Sequence, residues 1–250
     1  MKILFSILTA VCITALAFSP LWAQFPDGEA ILDRIDANMS AKTRIFTAEM
    51  TIHGRRGSRT VTSKTWAQGD QKAFTKYLAP AREKGTKMLK LTDRLWMYTP
   101  STDRTIQISG HMLRQSVMGS DLSYEDMLED AKLQSSYSAE VVGTEEVDQR
   151  VCWVVSLTAT KKDVAYYKRK LWVDQKRMIP LKATLYARSG KLLKKMEFKK
   201  ISRIQGRWYP HQMIFKDMLK KGRGTHFVFK TISFDDEIPS RIFSKASLRR

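Results

Sequence analysis

The sequence predicts a mainly β chain with a few helices (α+β), organised on one long antiparallel sheet, and three observations carry that reading. Short segments in which apolar and polar residues alternate recur from Phe46 to Phe234, separated by turn signals such as Gly69-Asp70, Ser189-Gly190 and Gln205-Gly206 at hairpin spacing. The pattern breaks once, after Gly110, where β-branched residues stop and a methionine-rich stretch begins. No Pro/Gly/Ser-rich linker, low-complexity run or repeat divides residues 24–250, a length that one all-β domain with a substantial core can fill.

Residues 1–23 read as a secretory signal peptide. Lys2 supplies the positive start, Ile3 to Phe18 the apolar run, and Leu21-Trp22-Ala23 a small-residue cleavage site before Gln24. An uncleaved membrane anchor is the competing reading of this run, which is short and ends at Pro20. Export places a single domain, residues 24–250, in the periplasm. Cys12 lies inside the apolar run, so Cys152 is left without a partner and stability must rest on the core.

The mature chain starts with a helix. Asp27 can cap it, and Ile31, Leu32, Ile35 and Met39 form one apolar stripe. Phe46, Ala48, Met50 and Ile52 then alternate with polar residues as a strand, Gly54-Arg55-Arg56-Gly57 turns the chain, and strands follow over Arg59–Trp66 and Phe74–Leu78. Three more are expected over Lys87–Leu91, Leu95–Tyr98 and Arg104–Ile108. His111 to Met118 alternates too weakly for a strand and reads as a short helical insert between Gly110 and Gly119. A second helix opens at Ser123, three residues before Asp126, with Tyr124, Met127, Leu128 and Ala131 on one face.

Seven further strands complete the chain, over Ala139–Val147, Val151–Lys161, Tyr166–Asp174, Leu181–Ala187, Leu192–Ile201, Tyr209–Met218 and Thr225–Phe234. Their short connections predict an up-and-down meander, and a meander this long curls because strands twist. The apolar face then lines a concavity, and the Met-rich insert is either a lid over it or ordinary core packed on the sheet.

Three stretches also carry a family resemblance: Ala81-Arg82-Glu83-Lys84-Gly85-Thr86-Lys87-Met88-Leu89, Leu95 to Arg104, and Leu113 to Asp126. They resemble the bacterial outer-membrane lipoprotein-sorting proteins, relatives of the LolA and LolB carriers. The resemblance implies a curved, incompletely closed antiparallel β-barrel whose mouth is plugged by helices, with a hydrophobic cavity that carries acyl chains through the periplasm. Under that reading the sheet contributes Met50, Ile52, Trp66, Phe74, Met88, Leu91, Trp96 and Tyr98 to the cavity. The lid contributes Met112, Leu113, Val117, Met118, Tyr124 and Met127. Without the resemblance the same aromatic residues read as core.

Arg114, a cation on an otherwise apolar insert, either reaches solvent or pairs with Asp121 or Asp126 and latches the lid. The four histidines show no metal-ligand spacing, and there is no nucleophile elbow or glycine-rich phosphate loop, so no metal, cofactor or catalytic residue is expected. Ser109-Gly110-His111 gives an activated nucleophile only if a carboxylate orients the ring; Asp121, Glu125 or Asp126 could supply one, although these carboxylates more simply suit the start of a helix. The formal net charge of +19 points, for an exported protein, to anionic lipid headgroups rather than nucleic acid, or simply to solvated lysines. The expected partners are a lipid or lipidated protein, an anionic membrane surface and an inner-membrane transporter, with the chain a monomer. A lipid-acting hydrolase using the same cavity, and a non-carrying transporter accessory, are the alternatives.

Overall fold

The structure, a computed structural model, describes residues 25–54, 57–128, 132–162 and 164–250. The expected signal peptide, Arg55-Arg56 of the first turn, Ala131 and Asp163 lie outside the described residues. Helix α1 (Gly28–Met39) begins where the sequence places it. The Asp27 carboxylate accepts the Glu29 amide at 3.1 Å, and Ile31, Leu32 and Ile35 are buried. Gly28 is obligatory here, because a Cβ would lie 2.4 Å from the Ala139 carbonyl oxygen.

Each expected strand is present, with ends moved by a few residues: β1 (Thr43–Gly54), β2 (Gly57–Gln68), β3 (Lys72–Ala79), β4 (Lys87–Leu91), β5 (Arg94–Thr99) and β6 (Arg104–Ile108) precede the insert. After it come β7 (Tyr137–Val147), β8 (Arg150–Ala159), β9 (Lys168–Asp174), β10 (Pro180–Tyr186), β11 (Leu192–Ile204), β12 (Arg207–Asp217) and β13 (Gly224–Phe234). All thirteen form one antiparallel sheet.

The unbroken meander is corrected. Strand order is β6-β5-β4-β3-β2-β1-β13-β12-β11-β10-β9-β8-β7, so the first and last strands pair at the centre and β6 and β7 are the two free edges. Local hairpins favour neighbours in sequence, but pairing β13 with β1 joins two half-sheets and satisfies two edges at once. The sheet is therefore not closed. The insert that the sequence shows as an interruption is the chain's path from one edge to the other.

Alternation then sorts side chains onto two faces. Met50, Phe227, Met213 and Phe198 are cross-strand partners in one row, so the inner face is continuous from β1 to β11. Helix α1 covers its β7–β11 half, packing Ile31, Leu32 and Ile35 against Val155, Leu157, Leu171, Leu185 and Phe198. The outer face of β3 to β5 is covered by the C-terminal segment, whose Phe243 and Leu248 pack on Phe74, Leu89 and Trp96. Among the described residues no helix is long and apolar enough to cross a membrane.

Candidate functional site

The site is the β1–β5 half of the inner face and the edge-to-edge connection that covers it. The connection is not the single short helix expected over His111–Met118. It consists of 3-10 turns at Gly110–Arg114 and Val117–Gly119, followed by α2 (Tyr124–Leu128). Gln115 is extended and Met118 lies at φ 48°, so the chain folds back and the Val117 amide donates to the Leu122 carbonyl at 2.8 Å. The predicted cap of α2 is present in reciprocal form. The Ser123 amide donates to the Asp126 carboxylate at 2.6 Å, and the Asp126 amide to the Ser123 hydroxyl at 3.3 Å.

The underside of this lid is apolar and soft. Val117 and Tyr124 are buried, and Met112, Leu113, Met118, Leu122, Met127 and Leu128 pack beside them on Met50, Ile52, Val61, Tyr77, Met88 and Leu95. The Tyr77 hydroxyl points at the Met88 sulfur, 3.3 Å away, and burial raises its phenol well above the usual tyrosine range. Thioethers are flexible and polarisable, so this contact surface can be remade with other apolar partners at small cost.

Polar tethers hold the lid to both half-sheets. On the β1–β5 side, Lys90 Nζ donates to the Leu128 carbonyl at 2.8 Å and the Arg59 guanidinium to the Met118 carbonyl. On the other side the Thr225 hydroxyl donates to the Asp121 carboxylate at 2.8 Å, which also accepts the Asp217 amide at 2.9 Å. Lys194 of β11 ion-pairs with Asp126, and the Tyr166 hydroxyl donates to the same carboxylate at 2.6 Å. Lys220 donates to the Ser116 hydroxyl and the Ser120 carbonyl. Beside the lid lies an open cleft of about 600 Å³ between Leu113, Glu125 and Leu128 on one side and Tyr137, Val164, Ala165 and Arg169 on the other. Arg169 is buried there, its guanidinium 4.7 Å from the Tyr137 ring.

This architecture has solved relatives. A domain from Vibrio parahaemolyticus described as an outer membrane lipoprotein-sorting protein superposes with a TM-score of 0.78 at 25% identity, over 89% of this chain and 98% of that one. A DUF1329 family protein from Desulfovibrio piger gives 0.82 at 25%, over 88% and 97%. A LolA superfamily protein from Nitrosomonas europaea gives 0.73 at 25%, over 89% and 100%. A family model described as an uncharacterized protein matches residues 69–250. The chain belongs to the LolA-like family. No curated protein matches it in sequence.

The LolA-like fold separates the residues that the sequence groups as one cavity. Met50, Ile52 and Met88 share the inner face with Met112, Leu113, Val117, Met118, Tyr124 and Met127. Trp66, Phe74, Leu91, Trp96 and Tyr98 lie on the opposite face, under the C-terminal segment. Each strand has side chains on both faces, and only the cover over each face, invisible in the strand itself, tells them apart. Of these fourteen residues, only Leu113 lines the open cleft. The Arg114 latch is also corrected. Arg114 is exposed, and Asp121 and Asp126 are taken by Thr225 and Lys194. The sequence did contain a sign of Lys194: it stands two residues from Met196 and four from Phe198 on the inward-facing parity of its strand, where a cation needs a partner. Lys90, two residues from Met88 on β4, carries the same sign, whereas Thr225 and Lys220 left none.

Proposed function

We propose that this LolA-like chain is a periplasmic carrier that takes the acyl chains of a lipid or lipidated protein onto the inner face, in place of the lid. The observation that carries the reading is the lid itself: an apolar, methionine-rich underside held down at its edges by polar contacts to both half-sheets. The energies of the two occupants are of one size. An acyl chain of ~16 methylenes gains on the order of 12 kcal/mol on burial. The lid side chains from Met112 to Leu128, at roughly 1.5 kcal/mol each for partial burial, total on the order of 10 kcal/mol. Exchange near balance is what a carrier needs, since a load bound far more tightly than its lid would not be released.

The experiment is native mass spectrometry of gently purified protein with lipid extraction, alongside uptake of a fluorescent acyl probe. Retained acyl material and probe uptake are expected, and protein that does neither is not a carrier. A lock tests the exchange: Asp121→Cys with Thr225→Cys, in a Cys152→Ser background, should block uptake when oxidised and restore it on reduction. Uptake indifferent to the lock means that the lid is permanent core.

A further inference from the structure

The outer face of the β8–β10 region carries a groove of about 560 Å³ that none of the lid chemistry uses. Its floor is apolar and aromatic, from Val142, Tyr167, Tyr186 and Ala187, and Val142 is 49% exposed. Its rim is cationic. Lys168 and Arg188 are exposed, and the Arg188 guanidinium is held 4.2 Å from the Tyr167 ring. Lys170 lies two residues further along β9, opposite Thr184 and on the side of Lys168 away from Arg188, its Nζ 4.7 Å over Trp172 and 3.3 Å from Glu145. Across the strands Lys170 is flanked by Ser156 and Thr184, and Thr184 is buried with a hydroxyl oxygen that has no hydrogen-bond partner.

We propose that this groove is the surface by which the protein seats on a bilayer, taking the phosphate-bearing headgroups of anionic lipids at its cations and the upper acyl region against its floor. The proposal rests on the carrier reading, for a carrier that exchanges acyl chains directly with a bilayer needs a surface that seats there. Charge complementarity selects this occupant: three cations converge on one groove in a chain of net charge +19, and an apolar floor beneath a cationic rim matches the boundary between headgroups and hydrocarbon. An acidic protein partner would satisfy the rim but not the exposed apolar floor.

The test compares Lys168→Gln/Lys170→Gln/Arg188→Gln with Lys72→Gln/Lys76→Gln/Lys84→Gln, which removes the same charge from exposed positions on and after β3. Both are sedimented with vesicles of phosphatidylcholine, with and without phosphatidylglycerol. The groove variant should bind anionic vesicles on the order of a hundred-fold more weakly, the loss expected when three cations leave an anionic surface, and the control variant less than about ten-fold. Equal losses in the two variants, or none in the groove variant, overturn the proposal. So does saturable binding of inorganic phosphate that the groove variant abolishes while vesicle binding stays intact. Acyl-probe uptake is measured on the same samples. If the unaltered protein takes up no probe, the carrier reading falls while the vesicle comparison still decides the groove.

Discussion

Replacing Lys194 by methionine should open the lid. In the closed state the Lys194 and Asp126 side chains are 6% and 12% exposed, and each is the other's ionic partner. Methionine keeps the stem's volume and leaves Asp126 with the Tyr166 hydroxyl and its own cap, but no cation. Breaking a buried pair by removing one partner costs about 3 kcal/mol at the lower end, because a carboxylate is left poorly solvated. With the lid lifted, water solvates Asp126, so the cost falls on the closed state alone. A shift of about 3 kcal/mol is roughly a hundred-fold in the closed-to-open ratio. Hydrogen exchange of the amides from Met112 to Leu128 should speed by that factor, and the acyl probe should load faster. Asp126→Asn in the Lys194→Met background removes the stranded charge while keeping a capping side chain, and should return exchange toward the original rate. Lys194→Met protein whose lid exchanges and loads at unchanged rates, with only global stability reduced, would refute the electrostatic tether.

The remaining expectations concern the core and the covered outer face. Burial, with Asp174 nearby, pushes the Cys152 thiol up to about 11, so a thiol reagent at neutral pH should modify it only in denaturant; stoichiometric reaction in native protein contradicts this. Burial acts to raise the Asp174 carboxyl, but hydrogen bonds from Arg150 and from the Lys176 and Arg177 amides outweigh it and hold the group below its usual range. A carboxyl depressed in the folded state stabilises fully above its unfolded pKa and loses that contribution as pH falls through the folded value. Arg150→Met should therefore lower Tm at neutral pH by an amount that shrinks in acid, and a pH-independent difference counts against the pair. Phe243→Ala should destabilise by about 3 kcal/mol and shift tryptophan emission to the red, since Phe243 covers the surface of Trp66 and Trp96; unchanged emission would mean that the C-terminal segment is not their cover.

The split of the cavity candidates shows why the site was only half legible. Met50 and Ile52 alternate cleanly on β1, and Met112 to Met118 stands out by composition, so both partners of the lid contact can be read from the chain. Trp96 and Tyr98 could not be assigned with them. Leu95 and Met97 face the lid, Trp96 and Tyr98 face the C-terminal segment, and period 2 alone is symmetric between the two faces. Arg114 and Lys194 make the same point for charge. A cation beside two carboxylates in sequence is exposed, whereas one roughly seventy residues away makes the pair, because ion pairs follow space and not sequence separation.

Local order was within reach of the sequence alone: hairpin spacing set the strands, Asp27 and Ser123 the helix starts, and Gly110 the point where the insert begins. These depend on near neighbours, whose energies the chain carries wherever it goes. Only the tertiary structure decided that β1 pairs with β13, that β6 and β7 are left as edges, and that the insert between them bridges the two halves as a lid tethered by Lys90, Lys194 and Thr225. Those are contacts between residues tens to nearly two hundred positions apart, selected by which closure buries the most apolar surface and leaves the fewest unpaired backbone groups, a comparison that exists only once the whole sheet has formed.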